Sequence, residues 1–449
     1  MAPAKSKKSA SAHAKAAAGA AAPGDLVKVS CSLGEQEGIL LPQPTSGTMA
    51  LKLPSGYNIG IRQENISAIK VVEKGAPPSS AAPKARPGAQ PAKDFLSILG
   101  CGGTIASRID YKTGAVDAAV TPQELVGMFS GISRAPLRAR SLFSLSSEDM
   151  TPAHWQKAAQ AVSDEIKGGA LGVVLTHGTD TLSFTSAALS FMLPGLACPV
   201  ILTGSQRSSD RGSSDAELNM RAALFAAQED FSGVFVCMHE NMSDDSCLLH
   251  FGAKVRKMHT SRRDAFLSIN TLPAARILAP QGKAERISPL APRRGLQGKF
   301  ALDDRLNPNV ALLYSYPGMK PEAISCLSKY DGVVIAGTGL GHIPANSSSD
   351  PLSASLLGEV QSLISSGIPV VIAPQTIYGR VNLNVYSTGR LMREAGVIGH
   401  LCDFTPEAAY VKLMWVLGHE KKMERVRQRM EKNLAGEISE RSEAVDFGF

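Results

Sequence analysis

The chain has 449 residues, which is too long for one typical domain and predicts roughly two to four domains. Hydrophobic residues make up 44% of it, so a large buried core is possible, whereas aromatic residues make up only 5%, which disfavours a base-stacking surface for nucleic acid. The net charge of +7 is compatible with an anionic partner. More than half of that excess comes from four lysines near the N-terminus, where the first 24 residues contain no acid: Lys5, Lys7, Lys8 and Lys15.

The first 93 residues fall into three segments of different composition. Residues 1–23 are mostly Ala, Lys and Ser and bury too little apolar surface to fold, so we expect a disordered basic tail. Residues 24–74 contain short strand-like runs separated by turn residues, which predicts a small β-barrel that docks onto a neighbour. Residues 75–93 are rich in Ala, Pro and Ser and are predicted to be a linker. The strand-like runs lie at 26–29, 38–42, 49–53, 54–61 (with its turn) and 65–72.

From Phe95 onward, strand-like runs alternate with helical segments. This βαβ rhythm predicts a parallel sheet with helices on both faces, and a second α/β rhythm begins near Val310. The breaks in the pattern predict an N-terminal α/β domain at 94–290, an inter-lobe connection at 291–309 and a C-terminal α/β domain at 310–419. A charged, exposed helical tail is predicted at 420–449.

Seven cysteines are dispersed along the chain without a Cys-x-x-Cys pair or a Cys/His cluster. This usage predicts a reduced protein of the cytoplasm and no metal site. The longest apolar stretch, at 187–203, is interrupted by Pro194 and Pro199, so it is not expected to cross a membrane. The alanine-rich N-terminus lacks a Leu/Val segment and is not expected to be a signal peptide.

Two threonines follow strand-like runs at glycine-containing turns. Thr104 lies in the segment ILGCGGTIAS, and Thr179 lies in VVLTHGTDT. Ligands of parallel α/β sheets bind beyond the carboxyl ends of the strands, so these hydroxyls point to a site that attacks a small acyl group. Each turn alone is equally well explained as a tight strand-to-helix connection. Both together favour catalysis.

A lysine and a carboxylate could activate one of these hydroxyls. Asp180 follows Thr179, and Lys257 lies in the segment KVRKMHTSRRD. A threonine needs a base to take its proton, a lysine can act as that base, and a carboxylate can orient the lysine. The alternative is that Lys257 belongs to a phosphate-binding cluster, which the neighbouring cations alone would favour: Lys254, Arg256, Arg262 and Arg263.

Three further segments carry polar side chains near the predicted strand ends. Ser147 and Glu148 could hold the carboxylate and ammonium of an amino acid, although an N-cap formed by Asp149 or Thr151 explains this segment about equally well. The loop at 204–211 is rich in donors and is predicted to shape the pocket rather than to supply catalytic groups. Tyr111 lies on a polar stretch that could close over a substrate, although a tyrosine on a loop is more often a packing residue.

The motifs GGTIAS, SSEDM, THGTDT and the lysine of VRKMHTSRRD resemble the bacterial-type L-asparaginases in order and spacing, over about 95–420. The resemblance implies two parallel-sheet α/β lobes of asparaginase type, following the small barrel. It implies Thr104 as the nucleophile with Tyr111 as its loop partner, and Thr179, Asp180 and Lys257 as the second catalytic group. Ser147 and Glu148, with Asp180, would hold the amino-acid end of the substrate. Which threonine attacks first stays open.

The N-terminal segment with GYNIG and the string VRKMHTSRRDAF resemble a narrower family, the D subunits of the archaeal glutamyl-tRNA(Gln) amidotransferase. This resemblance implies a glutaminase subunit without a cofactor of its own. Its ammonia would pass to an E subunit that uses ATP and Mg²⁺ to amidate glutamyl-tRNA(Gln). The asparaginase likeness implies a homodimer core, here within a heterotetramer. The alternatives are a free-standing L-asparaginase and a non-catalytic, basic RNA-binding subunit.

Overall fold

The computed structural model of the chain describes residues 21–32, 34–41, 47–53, 58–74, 93–109, 116–118, 126, 133–208, 214–295, 299–346 and 352–442. Most of the predicted basic tail, nearly all of the predicted linker and Tyr111 lie outside these described residues.

The N-terminal segment forms a five-stranded antiparallel sheet in the order β4-β3-β2-β1-β5. The alternating run at 26–29 places Val27 and Val29 in a small core. This sheet is the small β domain that was predicted, and among the described residues β4 and β5 form its two edges, so no closed barrel is seen there. A 3₁₀ turn at Gln63–Asn65 leads β5 across to β1 instead of back along β4. The strands are β1 Leu26–Cys31, β2 Gly34–Leu40, β3 Thr48–Lys52, β4 Asn58–Arg62 and β5 Ile66–Glu73.

The central body contains an eight-stranded sheet in the order β17-β16-β13-β12-β11-β10-β6-β9. The five strands from β12 to β9 are parallel, as predicted, whereas β13, β16 and β17 are antiparallel. The sheet is mixed because the loop between β12 and β13 is too short for a parallel crossover. The strands are β6 Phe95–Gly102, β7 Ser107–Ile109, β8 Val116–Ala118, β9 Leu137–Leu145, β10 Ala170–Thr176, β11 Pro199–Thr203, β12 Gly233–His239, β13 Cys247–Phe251, β14 Val255–Lys257, β15 Phe266–Ser268, β16 Ala275–Leu278 and β17 Lys283–Arg286.

Within the described residues, three helices cover the two faces of this sheet: α1 Pro152–Lys167, α2 Leu182–Met192 and α3 Ala216–Ala226. Successive residues of a strand point to opposite faces, so Val173 of β10 packs in the core of α1 and α2, whereas Val174 packs in the core of α3. Both faces of β10 and β11 are therefore buried, which explains their continuous apolar sequences.

The C-terminal lobe has a three-stranded parallel sheet, β18-β19-β20. Its core is continuous with that of the central body, and the rings of Phe191 and Trp415 stack with their centroids 6.3 Å apart. The elements are β18 Val310–Tyr314, α4 Glu322–Ser325, β19 Gly332–Gly337, α5 Leu357–Ser365, β20 Val370–Pro374, α6 Ser387–Glu394, α7 Pro406–Leu417 and α8 Met423–Glu431.

The helix at the C-terminal end of the lobe is shorter and less exposed than the predicted charged tail. The helix α8 ends at Glu431, and its residues Val426 and Met430 are buried because they face the common core. None of the helices in the described part of the chain is long and apolar enough to cross a membrane.

Candidate active site

Four neighbouring parallel strands bring the predicted site segments to one edge of the central sheet. The order β11-β10-β6-β9 places Thr176, at the end of β10, between Thr203 of β11 and Gly100 of β6. Because the strands are parallel, the turns that follow them lie side by side. Those turns carry Thr104 after β6, Ser147 after β9 and Thr179 after β10.

Close backbone contacts hold three of these turns together. Gly103 has a φ of +83°, and a Cβ there would lie 2.4 Å from the backbone nitrogen of Gly178. A Cβ on Gly178 would in turn lie 2.7 Å from the Cβ of Ser147. Only glycine fits at both positions. Each is followed by a threonine, so this contact places half-buried Thr104 and buried Thr179 in adjacent turns.

Lys257 reaches the same edge from the short hairpin of β14 and β15. Its Nζ lies 2.8 Å from Thr179 Oγ1 and 2.8 Å from Asp180 Oδ1. The lysine side chain is 12% exposed, whereas that of Asp180 is 68% exposed. The arrangement therefore unites a hydroxyl, an amine that can exchange a proton with it, and a carboxylate that orients the amine.

The cations around Lys257 are each paired with a carboxylate. Besides Lys257 with Asp180, the ion pairs are Lys254–Asp403, Arg256–Glu407, Arg262–Asp264 and Arg263–Asp244. Lys254 and Asp403 are almost completely buried, so this lysine does not face solvent. The cluster is thus a set of local ion pairs, which weakens the phosphate-binding interpretation of Lys257.

Ser147 and Glu148 form a 3₁₀ turn directly after β9. Ser147 is buried against Gly178, and its carbonyl oxygen accepts a hydrogen bond from Thr181 Oγ1 at 2.6 Å. Glu148 is exposed. The following helix is capped by Thr151, whose backbone N–H donates to His154 Nδ1, so Ser147 and Glu148 are not needed for the cap. Their substrate-binding role remains a prediction.

Two other reactive side chains at this edge of the sheet are held inert by burial. Burial lowers the pKa of His177 to about 4, and its Nδ1 donates to the carbonyl of Gly178 while its Nε2 accepts from Thr185 Oγ1. His177 therefore braces the turn as a neutral ring. Burial also raises the pKa of Cys101 to about 12, which keeps that residue a thiol and not a nucleophile.

Behind Thr179 lies a buried polar network that was not predicted from the sequence. Gln206 Oε1 lies 3.5 Å from Thr179 Oγ1, and the backbone N–H of Gln206 donates to both carboxylate oxygens of Asp215. Asn219 contacts Asp215 from one helical turn further along. The spacing of Asp and Asn at i and i+4 at the start of α3 is the available sequence signal, because such residues share one face of a helix. In the part of the chain that the structure describes, no group of three metal-binding side chains lies together.

Family models match three consecutive parts of the chain. Residues 21–72 match the GatD N-terminal domain, residues 96–288 match the N-terminal domain of asparaginase, and residues 309–430 match the glutaminase/asparaginase C-terminal domain. Among solved structures, the thermostable L-asparaginase from Thermococcus kodakarensis is 36% identical and has a TM-score of 0.68; the match covers 77% of this chain and 99% of that one. L-asparaginase I from Vibrio cholerae is 27% identical, with a TM-score of 0.64, and the match covers 78% of this chain and 100% of that one. Fold and site thus define an α/β protein of the asparaginase class.

Similarity to curated proteins extends over the N-terminal sheet as well. The D subunit of the glutamyl-tRNA(Gln) amidotransferase from Pyrococcus furiosus is 46% identical over 414 residues, which are 90% of this chain and 91% of that protein. The corresponding protein of Thermococcus kodakarensis is 46% identical over 431 residues, with 93% of this chain and 94% of that protein covered. The chain belongs to the family of glutamyl-tRNA(Gln) amidotransferase D subunits.

Proposed function

We propose that this chain is the glutaminase subunit of a tRNA-dependent amidotransferase and hydrolyses glutamine to glutamate and ammonia through a threonine acyl-enzyme. The observation that supports this most strongly is the position of Lys257 Nζ, within 2.8 Å of both Thr179 Oγ1 and Asp180 Oδ1 at the edge that also carries Thr104. An asparaginase-type site needs a hydroxyl beside a base, and this geometry supplies one.

In the proposed reaction a threonine Oγ attacks the side-chain carbonyl carbon of glutamine and passes its proton to the base. Backbone N–H groups of the glycine turns stabilise the oxyanion. The C–N bond breaks as the nitrogen receives a proton, which releases ammonia and leaves an ester on the threonine. Water then hydrolyses the ester to glutamate. Thr104 is the proposed nucleophile and Thr179 with Lys257 the proton-transfer pair, while Ser147, Glu148 and Asp180 hold the amino-acid end of the substrate.

The proposal includes a partner. The curated relatives are named as subunits, so ammonia from this site would be consumed by an E-type subunit that activates glutamyl-tRNA(Gln) with ATP and Mg²⁺. No cofactor is assigned to this chain. A cytoplasmic location is part of the proposal, because aminoacyl-tRNA is made and used there.

The decisive experiment measures glutamate and ammonia release from glutamine by the full chain, alone and together with the partner subunit, ATP, Mg²⁺ and glutamyl-tRNA(Gln). We expect turnover that the partner and the charged tRNA stimulate, and formation of glutaminyl-tRNA. Mass spectrometry of a rapidly quenched reaction should find the acyl ester on Thr104, and an ester on Thr179 would exchange the roles of the two threonines. Absence of glutamine turnover in the complete mixture would refute the proposal.

A free-standing L-asparaginase is the second candidate, and the similarity to the Thermococcus kodakarensis enzyme favours it specifically. It predicts rapid asparagine hydrolysis by the isolated chain, with no response to charged tRNA. The same assay with asparagine in place of glutamine separates the two functions.

A homodimer core is also proposed. Exposed apolar side chains lie at the end of β18 and in the segments after β18 and β20: Tyr314, Tyr316, Ile377, Val385 and Tyr386. Exposed apolar side chains are the kind of surface that a subunit interface would bury. Analytical ultracentrifugation of the isolated chain should show a dimer, whereas a monomer at micromolar concentration would contradict this part of the proposal.

A further inference from the structure

The hydroxyl of Thr179 has a second polar neighbour besides Lys257. Gln206, which follows β11, places its Oε1 3.5 Å from Thr179 Oγ1. A hydroxyl has one hydrogen to donate. When Lys257 donates to Oγ1, the hydroxyl hydrogen points to Gln206, and when Lys257 accepts a proton, that hydrogen must turn away from Gln206. The amide of Gln206 therefore competes with Lys257 for the hydrogen on which the proposed chemistry depends.

The other end of the Gln206 amide makes no hydrogen bond to the described part of the chain. Its Nε2 is buried and has no hydrogen-bond partner among the residues that the structure describes. A buried donor without a partner is unusual in a folded protein. Turning the amide over would therefore break no hydrogen bond at Nε2, and would direct Nε2 to donate to Thr179 Oγ1. In that orientation the hydroxyl hydrogen is left to Lys257, and a negative charge that develops on Oγ1 gains a donor.

The backbone of Gln206 is fixed by a buried network. The carboxylate of Asp215 accepts from the N–H of Gln206 at 3.0 and 2.9 Å, and Asn219 Nδ2 donates both to Asp215 Oδ2 and to the carbonyl of Gly204. Because Nδ2 makes those two bonds, the amide oxygen of Asn219 faces His239 Nδ1, 2.6 Å away, which must carry a hydrogen. Asp215, Asn219 and His239 are fully buried.

The backbone around Gln206 is therefore held by more buried hydrogen bonds than a loop that only lines a pocket needs. Two buried polar side chains, Asp215 and Asn219, hold the chain on both sides of Gln206, at Gly204 and at Arg207, whose N–H also donates to Asp215 at 3.1 Å. Fixing a backbone in this way determines where a long side chain can place its amide.

We propose that Gln206 is a positioning residue that orients the hydroxyl of Thr179 for proton exchange with Lys257. The proposal rests on the proposed function, because it assigns Gln206 a part in the same proton transfer. Gln206 acts through Thr179 and is not assigned a contact with the substrate.

The test compares three variants of the full chain in the complex with its partner subunit. Gln206→Met keeps the length of the side chain and removes both polar atoms. Gln206→Glu keeps the shape and an acceptor but removes the donor. Gln228→Met is the matched control, because Gln228 is a partly buried glutamine beyond the opposite end of α3, where it bonds Leu224 and Arg134. Glutamine turnover is measured as kcat and KM over a range of pH.

We expect Gln206→Met to lower kcat about 10- to 100-fold with KM within about threefold of the wild type, as for loss of one oriented group in general acid–base catalysis. Gln206→Glu should move the acid limb of the pH–rate profile to higher pH. The new carboxylate would lie near Lys257, which already has Asp180 beside it, and near Asp215, and added negative charge favours the protonated form of each of these groups. Gln228→Met should leave both quantities unchanged. Unchanged kcat in Gln206→Met, or an unshifted profile in Gln206→Glu, would overturn the positioning role.

Neutron crystal structures of the same variants separate this inference from the proposed function. The hydroxyl hydrogen of Thr179 should change direction in Gln206→Met and stay as in the wild type in Gln228→Met. A wild-type complex without glutamine turnover would defeat the proposed function, while the position of this hydrogen would still decide whether Gln206 orients Thr179.

Discussion

Lys257 is bonded to residues that lie 77 and 78 positions earlier in the chain. The role proposed for it depends on this distant contact and not on the cations beside it, since each of those has its own carboxylate. Two of these partners, Asp403 and Glu407, come from the C-terminal lobe. Local charge density therefore overstates the positive surface, and the assignment of Lys257 to a site with Thr179 follows from geometry.

Removal of any one of the three proposed catalytic groups should abolish most activity. We expect Thr104→Val, Thr179→Val and Lys257→Met each to lower glutamine turnover by about 10³-fold or more, because residues that act as one unit fail together. Steady-state ammonia release with charged tRNA present is the measurement. Thr271→Val, at a partly buried threonine outside these turns, is the control and should retain full activity. Wild-type rates in any of the three variants would show that its side chain is not part of the machinery.

The turns that follow β6 and β10 keep their relative position through a direct backbone contact between Gly103 and Gly178. We expect Gly103→Ala to lower the free energy of unfolding by about 3 kcal/mol or more and to abolish turnover, because it adds a left-handed strain and a clash with Gly178. Gly282→Ala is the control: Gly282 has a φ of +63°, but a Cβ there would meet nothing within 4 Å. It should lose only about 1 to 2 kcal/mol, with normal activity. Urea denaturation and the ammonia assay check both, and equal losses in the two variants would contradict the packing argument.

The hairpin that carries Lys257 is tied to the central sheet by a buried histidine. His250 on β13 contacts Ser268 Oγ on β15 through Nδ1, at 2.8 Å, and burial lowers the pKa of His250 to about 3. The unfolded chain binds a proton at this residue below its ordinary pKa of about 6.5, and the folded chain does not. The contribution of a neutral His250 to the free energy of unfolding is therefore fully present above pH 6.5 and is lost as the pH falls from 6.5 toward 3.

This element predicts a measurable pH dependence. His250→Gln cannot titrate but can still bond Ser268. Between pH 7 and pH 5 the free energy of unfolding should fall by about 2 kcal/mol less in His250→Gln than in the wild type. That amount is what one histidine, protonated only in the unfolded chain, contributes over this range. Urea denaturation at the two pH values is the measurement. Parallel curves for the variant and the wild type would mean that His250 does not stay neutral in the fold.

The local sequence pattern predicted the strands themselves better than it predicted how they pair. The five short runs before residue 74 and the buried apolar strands β10 and β11 occur where alternation and continuous apolar sequence predicted them. The antiparallel strands β13, β16 and β17 were not predicted. Their direction depends on which strands pair, and pairing is set by loop length and by long-range packing, which a local period does not encode.

For the whole molecule, the site segments could be predicted because hydroxyls after parallel strands must share one edge of a sheet. The network of Asp215, Asn219 and His239 could not, because nothing in the sequence indicates that a residue of β12 reaches the start of α3. The same limit applies to the contact between the lobes, where Lys254 pairs with Asp403 and Ser439, at 149 and 185 positions' separation.

That inter-lobe pair leads to a prediction about the stability of the entire chain. Lys254 Nζ lies 2.6 Å from Asp403 Oδ2, and both side chains are almost fully buried. Lys254→Met leaves a buried carboxylate without its cation, so the free energy of unfolding should fall by about 3 to 5 kcal/mol. Adding Asp403→Leu should restore most of that loss, since an apolar pair of similar volume has no charge to desolvate.

Equilibrium urea denaturation of the two single variants, the double variant and the wild type measures the coupling between these residues. Lys283→Met is the matched control, because Lys283 forms an exposed pair with Glu285 and should change stability by only about 0.5 kcal/mol. If Lys254→Met behaves like this control, the buried pair of Lys254 and Asp403 does not stabilise the contact between the two lobes. If the double variant stays as unstable as the single one, the loss comes from packing and not from an unpaired charge.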